Sequence, residues 1–351
     1  MPPSLEQAAR TSLTLLLALA AALAAERLRV PLPWMIGPLL ATAACSAAGA
    51  PVAASTTLRN VGLGAIGLAL GLYFSPQVLA VLLQLAPALA LGVAWAIGLG
   101  YAFYRFLLRV NGGDKATAYF AAAIGGASEM ALLAERHGGR VDRVAVAHSL
   151  RVLMVVVLIP FGTQFAGVHG IDSSLPAVLE VRPFGLAALV AAALAGVAVL
   201  HRLGAPNPWV LGALLTTAAL SSAGIELSAL PRPASNAGQL FIGVALGARF
   251  APDSLRGAPR WLASVAAGTL AMIGATLAFA WLLALATALH PATVFLGTSP
   301  GGIAEMCITA KVLQLGVPVV TAFQVLRYVA VLTLTAPLFR RELGRGTSPA
   351  A

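Results

Sequence analysis

The sequence has little charge and few aromatic residues for its length. Only 10% of its 351 residues are charged and 7% are aromatic, whereas a soluble domain has about 25% charged residues. Such a chain cannot cover a core with a polar surface, so we exclude an ordinary soluble protein. Apolar runs of about 18 residues or more recur along the whole sequence instead, and each is a candidate transmembrane helix.

Several signals that would indicate other functions are also missing. The two cysteines lie in apolar segments and define no disulfide framework. The five histidines are scattered, with no pair at metal-ligand spacing, so we expect no metal and no cofactor. No Gly-x-x-x-x-Gly-Lys phosphate loop occurs, which argues against an ATP-driven pump. The net charge of +10 comes mostly from basic residues between apolar runs, which indicates membrane topology rather than nucleic-acid binding.

Sequence blocks that recur after 175 or 176 residues reveal an internal duplication. They are PLPWMIG at 31–37 and PNPWVLG at 206–212, the glycine-rich segments that begin at Asn60 and Asn236, GGASEM at 125–130 and GGIAEM at 301–306, and Leu-Arg at 150–151 and 326–327. Alanine- and leucine-rich sequence would not place Pro, Trp, Asn, Glu and Arg in one shared register. We therefore predict two homologous membrane repeats, residues 1–175 and 176–351.

Each half contains six apolar segments, and the fifth is interrupted. It covers about 116–135 in the first half, with a Gly-Gly pair, and about 291–312 in the second, with a Pro-Gly-Gly run. Such runs break a helix, and broken backbone at membrane depth is tolerated only where protein buries it or it lines a wet cavity. The fourth segment of the first half lies near 77–108 and is counted as one crossing.

The basic residues favour a fifth segment that enters and leaves the membrane on the same side. With the N-terminus inside, twelve full crossings divide the basic residues evenly, whereas the re-entrant arrangement leaves five outside: Arg27, Arg29, Arg182, Arg232 and Lys311. Each half then has five crossings, so the halves are inverted. We predict an all-α polytopic membrane protein with two inverted repeats and cytoplasmic termini. A broken helix that does cross would make the repeats parallel, and this alternative stays open.

Matched ionisable residues lie inside apolar segments of both halves. Glu129 and Glu305 follow the Gly-Gly pairs, and Arg151 and Arg327 lie in the sixth segments. An ionisable group there costs about 3 kcal/mol or more, so its default interpretation is a substrate or ion site. A buried glutamate can carry a proton, and a guanidinium can bind an anion through two donors. The structural alternative is a Glu–Arg bridge or a helix cap.

Further polar residues flank these segments. Asn60 and Asn236 begin the glycine-rich third segments and can bond a ligand or a broken helix, whereas the glycines after them suit close helix packing. Ser128 and Ser299 flank the breaks and are further candidates for substrate or ion binding. His148 lies one helical turn before the first arginine, where a proton relay is an alternative to a structural role. We predict no catalytic residue.

The recurring blocks resemble the AbrB-type bacterial membrane protein family, whose other label is ammonia monooxygenase. The segments LPWMIGPLLATAA and NPWVLGALLTTAAL, together with the two Gly-Gly-x-x-Glu-Met segments, carry the resemblance, which covers essentially the whole chain. It implies a duplicated multi-pass protein of the bacterial inner membrane. The architecture is also similar to inverted-repeat secondary transporters such as the bile-acid symporter and cation/proton antiporter folds, by analogy of fold alone.

Three functions follow from these observations. The paired breaks and matched charges favour a secondary transporter with its site between the repeats. It would move a small solute, anionic solutes included, coupled to H⁺ or Na⁺. A membrane regulator that alters gene expression indirectly is the alternative. A membrane monooxygenase is disfavoured because copper or iron needs clustered ligands. The expected partners are the lipid bilayer and a small molecule or ion, with no nucleic acid, and homo-oligomer formation is left open.

Overall fold

The computed structural model describes residues 5–170, 176, 180–250, 252 and 259–345. Over these residues the chain is helical and contains no strand, which confirms the all-α prediction. The helices of the first half are α1 (Leu5–Arg27), α2 (Pro33–Ala47), α3 (Thr56–Gly71), α4 (Pro76–Gln84), α5 (Ala86–Asn111), α6 (Lys115–Ala122), α7 (Ala127–Arg136) and α8 (Val141–Phe165). Those of the second half are α9 (Pro183–Arg202), α10 (Pro208–Ser222), α11 (Arg232–Gly247), α12 (Pro259–Thr287), α13 (Pro291–Thr298), α14 (Ile303–Val312) and α15 (Val317–Arg345).

Six of the described helices are long and apolar enough to cross a membrane, namely α1, α5, α8, α9, α12 and α15. Helices α3 and α4 pass the same test as a pair but are bent by 88°. Helices α2 and α10 have 15 residues each, a length of roughly 22 Å that is shorter than the roughly 30 Å hydrocarbon core. The chain is thus a multi-pass membrane protein, and the five crossings per half and the inversion stay predictions.

The apolar segment at 77–108 forms two helices. The structure divides this segment at Leu85 into α4 and α5. Pro87 is the second residue of α5, and a proline suits the first turn of a helix but cannot continue a preceding one, because it has no N–H. Helix α12, the counterpart of α5, has no proline after its first residue and is continuous.

The duplication is visible in the helix boundaries. Helix α11 begins and ends 176 residues after α3, and the same offset relates α13 to α6 and α14 to α7. The two fifth segments are therefore both interrupted, after Ala122 in the first half and after Thr298 in the second. The predicted break at the glycine runs is confirmed in both halves.

The chain forms two compact units, and each takes segments from both halves. Unit 1 comprises Met1–Gln84, Val156–Asp253 and Cys307–Val319, and unit 2 comprises Leu85–Val155, Ser254–Met306 and Val320–Ala351. Unit 1 therefore contains the glycine-rich helices α3 and α11, with α2 and α10. Unit 2 contains both helix breaks, with α5, α12 and most of α15.

Helices α3 and α11 of unit 1 touch at equivalent glycines. A Cβ atom on Gly62 would lie 2.7 Å from the carbonyl oxygen of Gly238, and one on Gly238 would lie 3.1 Å from the carbonyl oxygen of Gly62. These residues are 176 positions apart, so each half offers the same surface to the other. That self-complementary pattern is typical of a two-fold arrangement.

The ends of α3 and α11 repeat this exchange with α10 and α2. A Cβ on Gly71 would lie 2.7 Å from the carbonyl oxygen of Leu214, and one on Gly247 would lie 2.6 Å from that of Leu39. Leu39 and Leu214 are counterparts in the duplication, because they lie 175 positions apart. The predicted role of the glycines in close helix packing is thereby confirmed.

The short helix α6 lies in the aromatic core of unit 2. All of its residues from Ala116 to Ala122 are buried. The ring of Phe120 lies 4.9 Å from that of Phe339 in α15, measured between centroids. Eight residues make few internal hydrogen bonds, so the ends of α6 need partners from outside the helix. The side chain of Asp114 supplies one at the N-terminus, where it accepts a hydrogen bond from the backbone N–H of Thr117.

Candidate functional site

Two broken helices, α6–α7 and α13–α14, place four helix ends inside unit 2. The last carbonyl groups and the first N–H groups of a helix have no hydrogen-bond partner within the helix. The C-terminal end therefore carries about half a negative elementary charge, and the N-terminal end about half a positive one. A cation is therefore favoured where α6 and α13 end, and an anion where α7 and α14 begin. The structure places the matched arginines and glutamates at these ends.

Arg151 of α8 caps the C-terminal end of α6. Its Nη1 donates to the carbonyl oxygens of Ala121 (3.3 Å) and Ala122 (3.4 Å), and its Nη2 donates to that of Ala123 (3.0 Å). The side chain is 2% exposed, and no carboxylate of the described residues lies within 4.0 Å of it. Arg151 thus bonds backbone carbonyls and does not form the Glu–Arg bridge that the sequence left open as a structural alternative.

His148 completes this cap. Its Nδ1 lies 2.9 Å from Nη2 of Arg151, and its Nε2 lies 2.9 Å from the carbonyl oxygen of Phe120. A guanidinium can only donate, so Nδ1 accepts and Nε2 carries the hydrogen that it donates to Phe120. This arrangement requires a neutral ring. The geometry favours a structural role for His148 over the proton relay.

The second half contains a similar cap, in which a glutamine at the position of the histidine bonds the backbone but does not accept a hydrogen bond from the arginine. Gln324 donates from Nε2 to the carbonyl oxygens of Leu296 (2.7 Å) and Ser299 (3.3 Å). Arg327 donates to the carbonyl oxygens of Ser299 and Gly301 at the end of α13. Sequence reasoning identified both arginines but missed this glutamine. The available signal was its position, three residues before the arginine, as in the first half.

The two glutamates lie at the opposite helix ends. Glu129 and Glu305 are the third residues of α7 and α14. Their carboxylates fold back, because a Cβ atom on Gly126 or Gly302 would overlap the carboxylate of the glutamate three residues later. A carboxylate at this position is favoured by the free N–H groups and the dipole of the first turn, as in a capping box. The second glycine of each pair therefore leaves room for a carboxylate.

The first glycine of each pair has a different neighbour. A Cβ on Gly125 would lie 2.9 Å from Cε of Met130, and one on Gly301 would lie 2.8 Å from Cγ of Met306. Both methionines are fully buried. The recurring Gly-Gly-x-x-Glu-Met pattern is thus explained locally: one glycine makes room for the methionine and the other for the glutamate.

The two glutamates differ in their surroundings. Glu305 is 7% exposed, whereas Glu129 is half-buried and lies next to the exposed Ser128. Oε1 of Glu129 accepts a hydrogen bond from the hydroxyl of Tyr328 in α15 (3.2 Å), so the first break contacts a helix of the second half. The counterpart of Tyr328 in the first half is Val152. Because the tyrosine does not recur, the repeat gave no signal for it.

The remaining predicted residues divide between the two units. Ser299 lies at the end of α13, where its hydroxyl donates to the carbonyl oxygen of Phe295 (2.6 Å), so it is a helix-capping residue. Asn60 and Asn236 lie on α3 and α11 in unit 1, whereas the other six predicted site residues lie in unit 2. Contact with a substrate or ion stays a prediction for all eight.

Both arginine caps lie within unit 2. The two breaks, one from each half, therefore bring four matched ionisable groups into one unit. Over the part of the chain that the structure describes, no group of three His, Cys, Asp or Glu side chains could hold a metal ion.

Comparison with known proteins identifies the family. A relative from Bacillus subtilis (strain 168), "Uncharacterized protein YhjN", is 27% identical over 340 residues, which cover 89% of this chain and 87% of the relative. The sequence model of the family described as "Transition state regulatory protein AbrB" matches residues 34–342, which include both repeats and both breaks. The chain therefore belongs to the AbrB family.

Proposed function

We propose that this protein is a secondary transporter of the bacterial inner membrane that moves a small solute with H⁺ or Na⁺. Its site would lie at the two helix breaks, and both termini would lie in the cytoplasm. The observation that carries the proposal is the matched pair of broken helices, each with a buried arginine at one end and a glutamate at the other. Broken helices at the interface of two repeats are typical of such transporters.

The charges at the breaks support this proposal on energetic grounds. Each ionisable group inside a membrane costs about 3 kcal/mol or more, so four groups that served only packing would be expensive to maintain. The helix ends offset part of this cost, because their partial charges are opposite to those of the side chains. Anionic solutes are the first class to test, because two buried arginines lie at the breaks and a guanidinium can bind an anion through two donors.

The glutamates are the proposed coupling residues. A carboxylate can exchange a proton, or bind Na⁺ together with carbonyl oxygens of an unwound segment. Glu129 is the more accessible of the two, and its neutral partner Tyr328 can donate to the charged carboxylate. The proposal assigns no chemical reaction to the chain. It is compatible with indirect regulation, because the flux of a solute can alter gene expression without a DNA-binding element.

The test is solute flux in proteoliposomes with and without an imposed H⁺ or Na⁺ gradient. Solutes would first be selected by thermal stabilisation of the purified protein, because a ligand that binds the folded state raises its apparent stability. We expect Glu129→Gln and Glu305→Gln to abolish the dependence of flux on the gradient. The matched control is Glu135→Gln, because Glu135 lies on α7 but is exposed. Coupled flux that persists in both site variants would refute the assignment.

A further inference from the structure

A cavity of about 370 Å³ lies in unit 2 between α5 and α15. Its apolar wall includes Gly98 and Gly100 of α5 and Val331 of α15, and its inner end reaches Ala123 and Ile124 at the first helix break. The glycines keep the space open. A Cβ on Gly98 would meet no atom within 4 Å, and one on Gly100 would have its nearest neighbour at 3.6 Å.

The cavity opens along the outer face of α5. Gly98 is exposed on this face, and Tyr101 is 41% exposed one turn later. Helices α5 and α15 are both candidate membrane spans. An opening between two spanning helices faces lipid, so a ligand would enter from the bilayer with its apolar part inside the cavity.

The rim of the cavity contains Arg341 and Glu342, and Arg105 lies beside Glu342. Its one carboxylate, Glu342, accepts a hydrogen bond from the hydroxyl of Tyr101 (3.3 Å) and lies 4.0 Å from Nη1 of Arg105. Arg341 also lines the cavity and has no carboxylate partner among the residues that the structure describes. Arg109, one turn after Arg105, extends the basic surface along α5.

This basic rim occurs in one half only. Gly98 has a glycine counterpart, Gly274, 176 residues later, and that position is equally open. The counterparts of the polar rim residues are apolar: Tyr101 corresponds to Leu277, Arg105 to Trp281 and Arg341 to Phe165. All three apolar counterparts are exposed. The shared packing of the two halves therefore does not require a basic rim.

We propose that this cavity binds one anionic phospholipid. The phosphate would lie against Arg341, and an acyl chain would occupy the apolar space and touch Ile124 beside the break. Juxtamembrane basic residues attract anionic headgroups, and buried methylene groups add affinity. Glu342 already has partners in the hydroxyl of Tyr101 and the guanidinium of Arg105. Arg341 therefore supplies the positive charge for the phosphate. The site does not depend on what the protein transports.

The test uses the full chain, purified and delipidated in a neutral detergent. Thermal stability and native mass spectrometry would be compared with added phosphatidylglycerol, phosphatidylcholine or glycerol phosphate. We expect phosphatidylglycerol alone to bind at one site per chain and to stabilise the protein. Arg341→Gln should weaken binding about fivefold, the factor that corresponds to roughly 1 kcal/mol for one basic residue near a headgroup.

Glycine variants test the position of the acyl chain. Gly98→Phe should fill the cavity and abolish lipid binding, and Gly274→Phe is the matched control, because Gly274 is equally open but does not line this cavity. Equal effects of the two variants on lipid binding would overturn the proposal. It would also be overturned if phosphatidylcholine bound as tightly as phosphatidylglycerol. Full stabilisation by glycerol phosphate would indicate a site for free anions instead.

Discussion

Replacing Arg151 with methionine should destabilise unit 2. Methionine keeps a long unbranched side chain but cannot donate a hydrogen bond. The variant therefore loses the bonds to the carbonyl oxygens of Ala121, Ala122 and Ala123 and the bond to His148. The end of α6 is buried, so water cannot replace these donors without opening the core.

The size of the effect follows from the geometry of the cap. The two bonds of Nη1 are long, at 3.3 and 3.4 Å, so we count them together as one hydrogen bond. The 3.0 Å bond of Nη2 to Ala123 counts as a second. A hydrogen bond from a charged donor contributes about 1.5–3 kcal/mol, so roughly 3–6 kcal/mol is lost. Removal of a buried charge offsets part of this loss, which leaves about 3 kcal/mol. For a chain of 351 residues this corresponds to a decrease in Tm of about 4 °C.

The measurement is the melting temperature of the detergent-purified protein, followed by tryptophan fluorescence and by circular dichroism. Arg327→Met should have a similar effect, because it removes the corresponding cap of α13. Arg136→Met, at an exposed position of α7, should leave Tm unchanged. If Arg151→Met melts with the parent protein but loses solute flux, the guanidinium acts on the solute and the capping argument is wrong.

Two further predictions concern other contacts. His148→Gln should keep the parental Tm, because Gln324 makes the equivalent bond in the second half, whereas His148→Leu should lower it; equal Tm values for these two variants would refute the capping role. Gly71→Ala should destabilise by about 1–3 kcal/mol through overpacking, because its Cβ would lie 2.6 Å from Cβ of Thr217. Gly64→Ala, whose Cβ would lie 3.4 Å from Trp209, is the control, and equal chemical-denaturation midpoints for the two glycine variants would contradict the packing argument.

Much of the fold could be predicted from the sequence because its signals are strong and occur twice. The shortage of charge indicated a membrane protein, and the glycine runs indicated the two breaks. The division between α4 and α5 was missed although Pro87 lies in the first turn of α5. A proline near the start of a long apolar segment is compatible with one continuous helix or with two helices divided before the proline. Only the position of the proline relative to the division at Leu85 distinguishes the two.

The candidate site was harder to predict because its acceptors are backbone atoms. The cost of burying Arg151 indicated that it needs a partner, and a carboxylate in the other repeated motif was the natural choice. The carbonyl oxygens at the end of α6 are equally good acceptors, but their position does not depend on residue type. Tyr328 was missed for a different reason, because it has no counterpart in the first half.

The charged caps at the helix breaks have a consequence for the unloaded protein. Arginine side chains satisfy the ends of α6 and α13, and carboxylates of the same chain face the starts of α7 and α14. The breaks therefore do not require a bound solute for their stability. If the protein is the proposed transporter and works as a symporter, its empty site must return across the membrane once in each cycle before it takes up solute again. Internal caps of this kind keep that return step from carrying the free-energy penalty of four bare helix ends.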